Sequence, residues 1–382
     1  MQSASTTNDL PGGTRIVRVE CFAVEYPITG QFKFFTRPVR GTIVVKLTAE
    51  SGHIGWGQSV PSPTWSYETL ETVMSTTEQY LAPAILGLDA LDADAVWRVM
   101  NRVIAPSFST GQPIAKAGID LALFDLAGRI LGQSAAQRWR LEGGGRVTLS
   151  WTIDAQTLGE VESSVADAHA RGYRHFNVKV GSDAPFDVAM CREIRRLAPE
   201  AFVWVDANGG YDADTALRVA PQLADLGIAA FEQPVRASDL AGLRRLRQQR
   251  ALPVLLDEPI VSLDDLRLFH ELDLLDGVAM KVSRCGGLSE AHRILDYMRQ
   301  HGLAFFASGL TDPDLSLAAS LLLFSAHGLS HPAALNGPQY LSGTLLRTPL
   351  VITGDVAEIP AGPGLGVEVD STRLDSLRAP RN

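Results

Sequence analysis

The feature that most constrains the fold is a series of eight short apolar runs after residue 145, each followed by a helical segment with one polar face. Strand and helix in alternation predict parallel strands joined by right-handed crossovers. Eight such units predict an α/β fold closed into a (β/α)8 barrel of the TIM type. An open, doubly wound sheet is the alternative, but the GxGxxG fingerprint after a first strand is absent. In chain order the runs are VTLSWTI, HFNVKVG, AFVWVDANGG, IAAFEQPV, PVLLDEPI, GVAMKVS, LAFFASG and AALNGP.

The segment before these units has a different pattern. Residues 15–49 alternate between apolar and polar side chains and predict strands, whereas residues 67–132 follow a helical period. The last helix of this part, within AKAGIDLALFDLAG, is apolar around most of its circumference, so we expect it to be buried. We predict a flexible N-terminal tail over 1–14, an α+β capping domain over 15–145, a barrel domain over 146–352 and a C-terminal segment, 353–382, that returns to the capping domain.

Charged residues end five successive apolar runs, from the second to the sixth. They are Lys179, Asp206, Glu232, Asp257 and Lys281, separated by 27, 26, 25 and 24 residues. Each interval corresponds to one strand–helix unit. Because catalytic groups in barrels of this kind lie at the carboxyl ends of the strands, we expect these five side chains to share one site.

Three of these residues are acids on neighbouring strands. Asp206, Glu232 and Asp257 would repel one another unless a cation lay among them. Oxygen ligands alone favour Mg²⁺, with Mn²⁺ as a second choice, and leave coordination positions for a substrate. The alternative is that each acid is a solvated strand end or a helix N-cap.

The two lysines are separated by four units, which is half of an eight-strand circuit. Lys179 and Lys281 should therefore face each other across the barrel mouth. We expect burial and cationic neighbours to depress the pKa of both amines, so that one removes a proton from a carbon and the other returns it on the opposite face. The alternative is a pair of surface lysines in ordinary ion pairs.

The motifs VKVG, WVDANGGY, FEQP, LLDEP and MKVSRCGGL together resemble the muconate-lactonizing subgroup of the enolase superfamily. The resemblance implies a capping domain over a modified barrel, and Mg²⁺ held by Asp206, Glu232 and Asp257. It also implies abstraction of a proton α to a substrate carboxylate, a chemistry in which such sites use a Lys or His base with Mg²⁺. By position, Lys179 and Lys281 match the acid/base pair, and Asn208 and Glu258 match residues that support the metal ligands.

The chain departs from the pattern of this superfamily at several positions. Asn177 replaces the first lysine of a K-x-K pair on the second barrel strand, so one cation is missing. The seventh run contains no histidine, which argues against the mandelate-racemase type. Dipeptide epimerases carry Asp-x-Asp on the eighth strand, where this chain has Ala334 and Asn336. A free ammonium group on the substrate therefore has no anionic partner there.

Specificity should come from loops of the capping domain that cover the barrel. Phe34 in PITGQFKFFTRP and Trp65 in VPSPTWSYE are the aromatic candidates, either for substrate contact or for packing between the domains. Candidate polar contacts to the substrate are Thr152, Asn177, Ser308, Asp312 and Asn336.

Composition excludes some partners and leaves the activity open. With 34 basic and 43 acidic residues the net charge is −9, so we expect neither nucleic acid nor a membrane surface as a partner. The three cysteines are far apart, and residues 1–15 lack the features of a signal peptide, so we expect a cytoplasmic protein. The resemblance suggests a homo-oligomer.

Three functions are open at this point. The first is a Mg²⁺-dependent racemase or epimerase that acts on a small carboxylate, such as an N-acyl or betaine-like amino-acid derivative. The second uses the same enolate for cycloisomerisation of a muconate-like diacid, or for β-elimination by a dehydratase or synthase. The third is a catalytically silent binding scaffold.

Overall fold

The computed structural model describes residues 12–107, 110–140 and 145–379. Most of the predicted N-terminal tail, residues 1–11, lies outside the described residues. Within the described part of the chain, no helix is both long and apolar enough to cross a lipid bilayer.

The N-terminal part pairs an antiparallel sheet with helices. Strands β1 (Ile16–Pro27), β2 (Val39–Ala49) and β3 (Ile54–Ser59) form a meander in the order β1-β2-β3. The helices are α1 (Leu70–Thr76), α2 (Ala82–Ile85), α3 (Ala93–Val103), α4 (Pro113–Leu131) and α5 (Ala135–Trp139), with a π-helical segment, Thr77–Leu81, between α1 and α2.

Helix α4 is buried from Pro113 to Gly128, as its apolar sequence predicts. Its close approach to the sheet depends on two glycines on one face of β3. A Cβ at Gly55 would lie 2.2 Å from the carbonyl oxygen of Ala122, and a Cβ at Gly57 would lie 2.1 Å from that of Gly118. The sequence GWG therefore lets the helix backbone pack directly on the strand.

The second part is a curled parallel sheet of seven strands, with a helix after each strand. The sheet strands are β5 (Trp151–Ile153), β6 (Phe176–Lys179), β7 (Val203–Asp206), β8 (Phe231–Glu232), β9 (Val254–Leu256), β10 (Gly277–Met280) and β11 (Ala304–Ala307). The helices are α6 (Leu158–Ala170), α7 (Ala184–Leu197), α8 (Ala213–Asp225), α9 (Leu240–Gln249), α10 (Leu263–Glu271), α11 (Leu288–His301) and α12 (Asp314–Ala326). This architecture confirms the α/β fold with a modified barrel and a separate α+β capping domain.

The first and eighth predicted strands differ from a regular barrel. The run VTLSWTI divides into β4 (Arg146–Thr148), which joins another sheet, and β5. The eighth run contributes only single parallel bridges, Leu149↔Ala333 and Ser308↔Ala334, which connect the two edges of the sheet. A short helix, α13 (Gly337–Tyr340), begins immediately afterwards, and Pro338 in it lacks the N–H that a longer strand would need.

The C-terminal segment contacts both parts of the chain. Strands β12 (Ile352–Thr353) and β13 (Val356–Glu358) form a small sheet with β4. After helix α14 (Ser371–Ser376), the carbonyl oxygen of Leu377 accepts a 2.8 Å hydrogen bond from the backbone N–H of Glu25 on β1. The domain bounds themselves stay a prediction.

Candidate active site

The five charged strand ends lie at one edge of the curled sheet. Lys179, Asp206 and Glu232 are the last residues of β6, β7 and β8, and they are paired in register across the parallel strands. Asp257 and Lys281 directly follow β9 and β10. The nearly constant repeat length in the sequence therefore places all five residues at the carboxyl ends of neighbouring strands.

The three carboxylates form a compact, fully buried cluster. One oxygen from each of Asp206, Glu232 and Asp257 lies within 4.8 Å of the others. Burial and the charges of the two aspartates raise the pKa of Glu232 well above its usual range. Its Oε2 accepts a 3.0 Å hydrogen bond from Trp204 Nε1, whereas its buried Oε1 has no partner among the described residues. An all-oxygen donor set with an unpartnered oxygen fits a hard divalent cation such as Mg²⁺.

Three cationic side chains surround this cluster. Lys179 Nζ donates a hydrogen bond to Asp206 Oδ2 over 2.5 Å, while Lys281 and Arg284 both donate to the carboxylate of Asp257. A divalent cation at the triad would compete with these side chains for the same oxygens.

The predicted depression of the lysine pKa is wrong for Lys179. Burial lowers the pKa of this amine, but the negative charges of Asp206 and Glu232 outweigh it, so the pKa is raised. Burial alone would likewise raise the pKa of Asp206, but the charges of Lys179 and Lys281 lower it below its ordinary value. The sequence suggested cationic neighbours for the lysines, whereas the structure places carboxylates next to them.

Asn208 contacts a carboxylate of the triad, and Glu258 in turn contacts Asn208. Asn208 adopts a left-handed conformation, with φ of 45°, and its backbone N–H donates to Asp206 Oδ1 over 2.8 Å. Its side-chain Nδ2 donates to Glu258 Oε1 over 3.2 Å, and that oxygen also accepts from Trp65 Nε1 over 3.1 Å. Burial and the charges of Asp257 and Asp206 raise the pKa of Glu258 to about 7.

Aromatic residues of the capping domain cover the two lysines. Lys281 Nζ lies 4.4 Å from the ring centre of Trp65, and Lys179 Nζ lies 5.9 Å from that of Phe32. Phe32 also stacks on Tyr340 of α13, with ring centres 5.1 Å apart. These loops therefore both line the site and pack against the barrel.

The predicted substrate contacts divide into two groups. Asn177, Ser308, Asn336, Phe34 and Trp65 line one pocket together with both lysines. Thr152 and Asp312 are not part of that lining.

The Thr152 and Asp312 side chains accept hydrogen bonds from other residues of the protein. The Thr152 hydroxyl accepts a hydrogen bond from Asn336 Nδ2 over 3.3 Å. The Asp312 carboxylate accepts from the hydroxyls of Ser283 and Ser316 and from the backbone N–H of Leu310.

Sequence reasoning missed three residues at the site: Arg40, Arg284 and Trp204. Trp204 lies two positions before Asp206, so strand alternation alone places both side chains on the inner face of the barrel. Arg284 follows Lys281 by three residues in MKVSRCGG and is buried against Asp257. Arg40 lies on β2 of the capping domain and lines the pocket, a contact between distant parts of the chain that no local pattern indicates.

Comparison with known proteins gives consistent matches over nearly the whole chain. The family model described as "Mandelate racemase / muconate lactonizing enzyme, N-terminal domain" matches residues 16–138, and "Enolase C-terminal domain-like" matches residues 160–373. Chloromuconate cycloisomerase CbnB of Cupriavidus necator is 31% identical over 353 residues, which are 90% of this chain and 93% of the relative. An L-Ala-D/L-Glu epimerase of Clostridium acetobutylicum is 27% identical over 90% of this chain and 95% of its own length.

The fold is similar to that of solved structures with the same architecture. The crystal structure of 2-chloromuconate cycloisomerase from Rhodococcus opacus 1CP superposes with a TM-score of 0.87 at 27% identity, covering 96% of this chain and 99% of that one.

Proposed function

The chain belongs to the mandelate racemase/muconate lactonizing enzyme family and is an isomerase of the enolase superfamily; we propose that it forms an enolate at the α-carbon of a small carboxylate with the help of Mg²⁺. The observation that carries this proposal is the buried triad of Asp206, Glu232 and Asp257 between Lys179 and Lys281. Bound by the triad, Mg²⁺ would supply a Lewis acid that offsets charge developing on the substrate carboxylate.

The two lysines move the proton. Mg²⁺ at the triad would offset the carboxylate charges that raise the pKa of Lys179 and so favour its neutral form. A neutral amine can accept the α-proton, and a charged one can return a proton and stabilise the enolate. Because β6 and β10 are separated by three strands of the sheet, the two amines approach the triad from opposite sides. Trp65 and Phe32 cover them and limit access of water.

The first candidate for the overall reaction is cycloisomerisation of a muconate-like diacid. The cycloisomerases among the relatives favour it over the racemase reaction that the sequence alone puts first. In this reaction one carboxylate of the diacid adds to a double bond within the same molecule, and a lysine then protonates the resulting enolate. Only one of the two lysines has to transfer a proton.

The second candidate is racemisation or epimerisation of an amino-acid derivative. The placement of a lysine on each side of the triad favours it, because inversion at carbon needs an acid and a base on opposite faces. The residues at the eighth strand run, Ala334 and Asn336, offer no carboxylate for a free ammonium group. An N-acylated substrate therefore fits this candidate better than a dipeptide with a free amine.

Proton NMR in D₂O with added Mg²⁺ separates the two candidates. The test offers the protein cis,cis-muconate and, separately, N-acyl amino acids. Cycloisomerisation converts the diacid to a lactone carrying one solvent deuterium, whereas racemisation places deuterium at the α-carbon of both enantiomers. The proposed function is contradicted if the wild type deuterates neither class of carboxylate, or if the Asp206→Asn variant is as active as the wild type.

A further inference from the structure

A second cluster of metal-binding side chains lies away from the active site, on two of the helices that surround the barrel. His292 and Asp296 are on α11, and His327 caps the carboxyl end of α12. One ligand atom from each of the three lies within 4.8 Å of the others. Apart from the carboxylate triad, no other group of three His, Cys, Asp or Glu side chains among the described residues comes this close together.

The two histidines of this cluster contact each other through ring nitrogens. His292 Nδ1 lies 2.8 Å from His327 Nε2, a hydrogen bond in which one nitrogen carries the proton and the other offers its lone pair. The donors of a tetrahedral Zn²⁺ site lie about 3.3 Å apart, because each bond is about 2 Å long. Separations from 2.8 Å to at most 4.8 Å bracket that value, so small side-chain rotations bring the three donors to it.

Asp296 supplies the negative charge of the cluster. Its Oδ1 accepts a 2.7 Å hydrogen bond from Arg299, whereas its Oδ2 lies 3.5 Å from His292 Nε2. Arg293, whose charge also acts on His292, donates to the carboxylate of Glu290. The side chains of His292 and Asp296 are 26% and 32% exposed, so an ion can reach them from solvent. One carboxylate oxygen is therefore available beside two imidazoles at an accessible place.

The donor atoms of the cluster favour a different metal from that of the triad. Imidazole nitrogen suits Zn²⁺, Ni²⁺ and Cu²⁺, whereas Mg²⁺ takes oxygen ligands. We propose that His292, Asp296 and His327 bind one Zn²⁺ ion, with water as the fourth ligand, and that this ion links α11 to α12. This site is separate from the active site, and the proposal does not depend on the proposed function.

Trp139 extends this link to the N-terminal part of the chain. It is the last residue of α5, and its ring stacks on the His292 imidazole, with ring centres 5.5 Å apart and planes inclined by 13°. The same indole packs on Phe124 of α4, with ring centres 4.9 Å apart. An ion bound to His292 would therefore fix the imidazole on which α5 packs. A paramagnetic ion at this position is close enough to quench the fluorescence of Trp139.

Zinc titration compares the wild type with single-residue variants. Isothermal titration calorimetry with ZnCl₂ in excess Mg²⁺ should show a site in the wild type that His327→Gln and Asp296→Asn each weaken at least tenfold, because loss of even a supporting residue costs about 10- to 100-fold in metal affinity. Two variants are controls. His331→Gln removes a histidine that stacks on two phenylalanine rings, and Asp206→Asn removes a triad ligand; both should keep this site.

Cu²⁺ provides an optical test at the same residues, because it also binds imidazole nitrogen. One equivalent should quench part of the tryptophan fluorescence of the wild type, and the quenched fraction should be smaller in Trp139→Phe and in His327→Gln. Equal fractions in the wild type and Trp139→Phe overturn the inference. Equal zinc affinity of the wild type and His327→Gln, or zinc binding that is lost only in Asp206→Asn, also overturns it.

Discussion

Replacement of Glu232 by Gln should stabilise the metal-free protein and abolish its response to Mg²⁺. Glu232 is fully buried and is the middle member of the carboxylate triad. The substitution keeps the size of the side chain and the acceptor for Trp204 Nε1, but it removes one of three mutually repelling charges. A buried carboxylate that binds a cation is expected to destabilise the folded protein when the cation is absent, because its charge then repels its neighbours.

The magnitude follows from the spacing of the carboxylates. Two unit charges 4.8 Å apart repel by about 3 kcal/mol at an effective dielectric constant of about 20. Glu232 takes part in two of the three pairs, so its charge accounts for about 6 kcal/mol of gross repulsion. The raised pKa of Glu232 relieves part of this repulsion by favouring the protonated form, and loss of its attraction to Lys179 and Lys281 offsets a further part. We therefore expect a net gain of about 2 kcal/mol in the free energy of unfolding.

Urea unfolding with excess EDTA and with excess Mg²⁺ measures both effects. The wild type should gain about 2.7 kcal/mol when free Mg²⁺ is 100 times its dissociation constant, whereas Glu232→Gln should gain nothing. Asp187→Asn is the matched control, because Asp187 is a buried carboxylate outside the triad that binds Tyr211 and Gly181. It should lose stability in both buffers and keep the Mg²⁺ response. A Glu232→Gln protein that is less stable than the wild type in EDTA, or is still stabilised by Mg²⁺, refutes the reasoning.

Two further predictions concern stability. Burial lowers the pKa of His327 to about 4, so the folded state excludes a proton that the unfolded chain binds below pH 6.5. This contribution to stability should be complete above pH 6.5 and decline as the pH falls towards 4, by roughly 1–2 kcal/mol because solvent partly screens the half-buried imidazole. Urea unfolding of the wild type and His327→Gln in EDTA should diverge over this range, and parallel pH curves would argue against it. Gly57→Ala should destabilise the protein by more than about 3 kcal/mol, because the added Cβ would meet the backbone of α4. The control is Gly159→Ala, whose Cβ would lie in open space on α6 and which should be neutral or slightly stabilising. Equal melting temperatures for the two variants would contradict the packing of α4 on β3.

The site was predictable because its residues follow a regular local rule. The charged residues from Lys179 to Lys281 recur once per strand–helix unit, and parallel strands place equivalent positions at the same edge of a sheet. The burial of α4 was predictable for a similar reason, since its apolar residues surround the helix. Both features depend on the sequence of a single element, either one helix or one strand–helix unit.

Other features depend on contacts between distant segments, and local patterns do not contain them. Arg40 reaches the pocket because β2 of the capping domain lies over the barrel, 270 residues from the carbonyl of Leu310 that it binds. The raised pKa of Lys179 depends on which charges lie nearest, and the sequence gives the charges without their distances. The short eighth strand is different, because Gly337 and Pro338, which begin α13, are part of the run AALNGP itself.

Exchange of the α-proton tests the central claim, that Lys179 and Lys281 transfer protons at the α-carbon of a carboxylate held at the triad. The measurement is deuterium incorporation from D₂O, with Mg²⁺ present, into each enantiomer of whichever carboxylate the substrate panel identifies. If the substrate is racemised, Lys179→Ala and Lys281→Ala should each abolish exchange at one face and retain it at the other. If a diacid is cycloisomerised, one of the two lysine variants should lose deuterium incorporation, and Asp206→Asn should abolish incorporation in both cases. Wild-type incorporation in both lysine variants, or Mg²⁺-dependent incorporation in Asp206→Asn, would contradict the account.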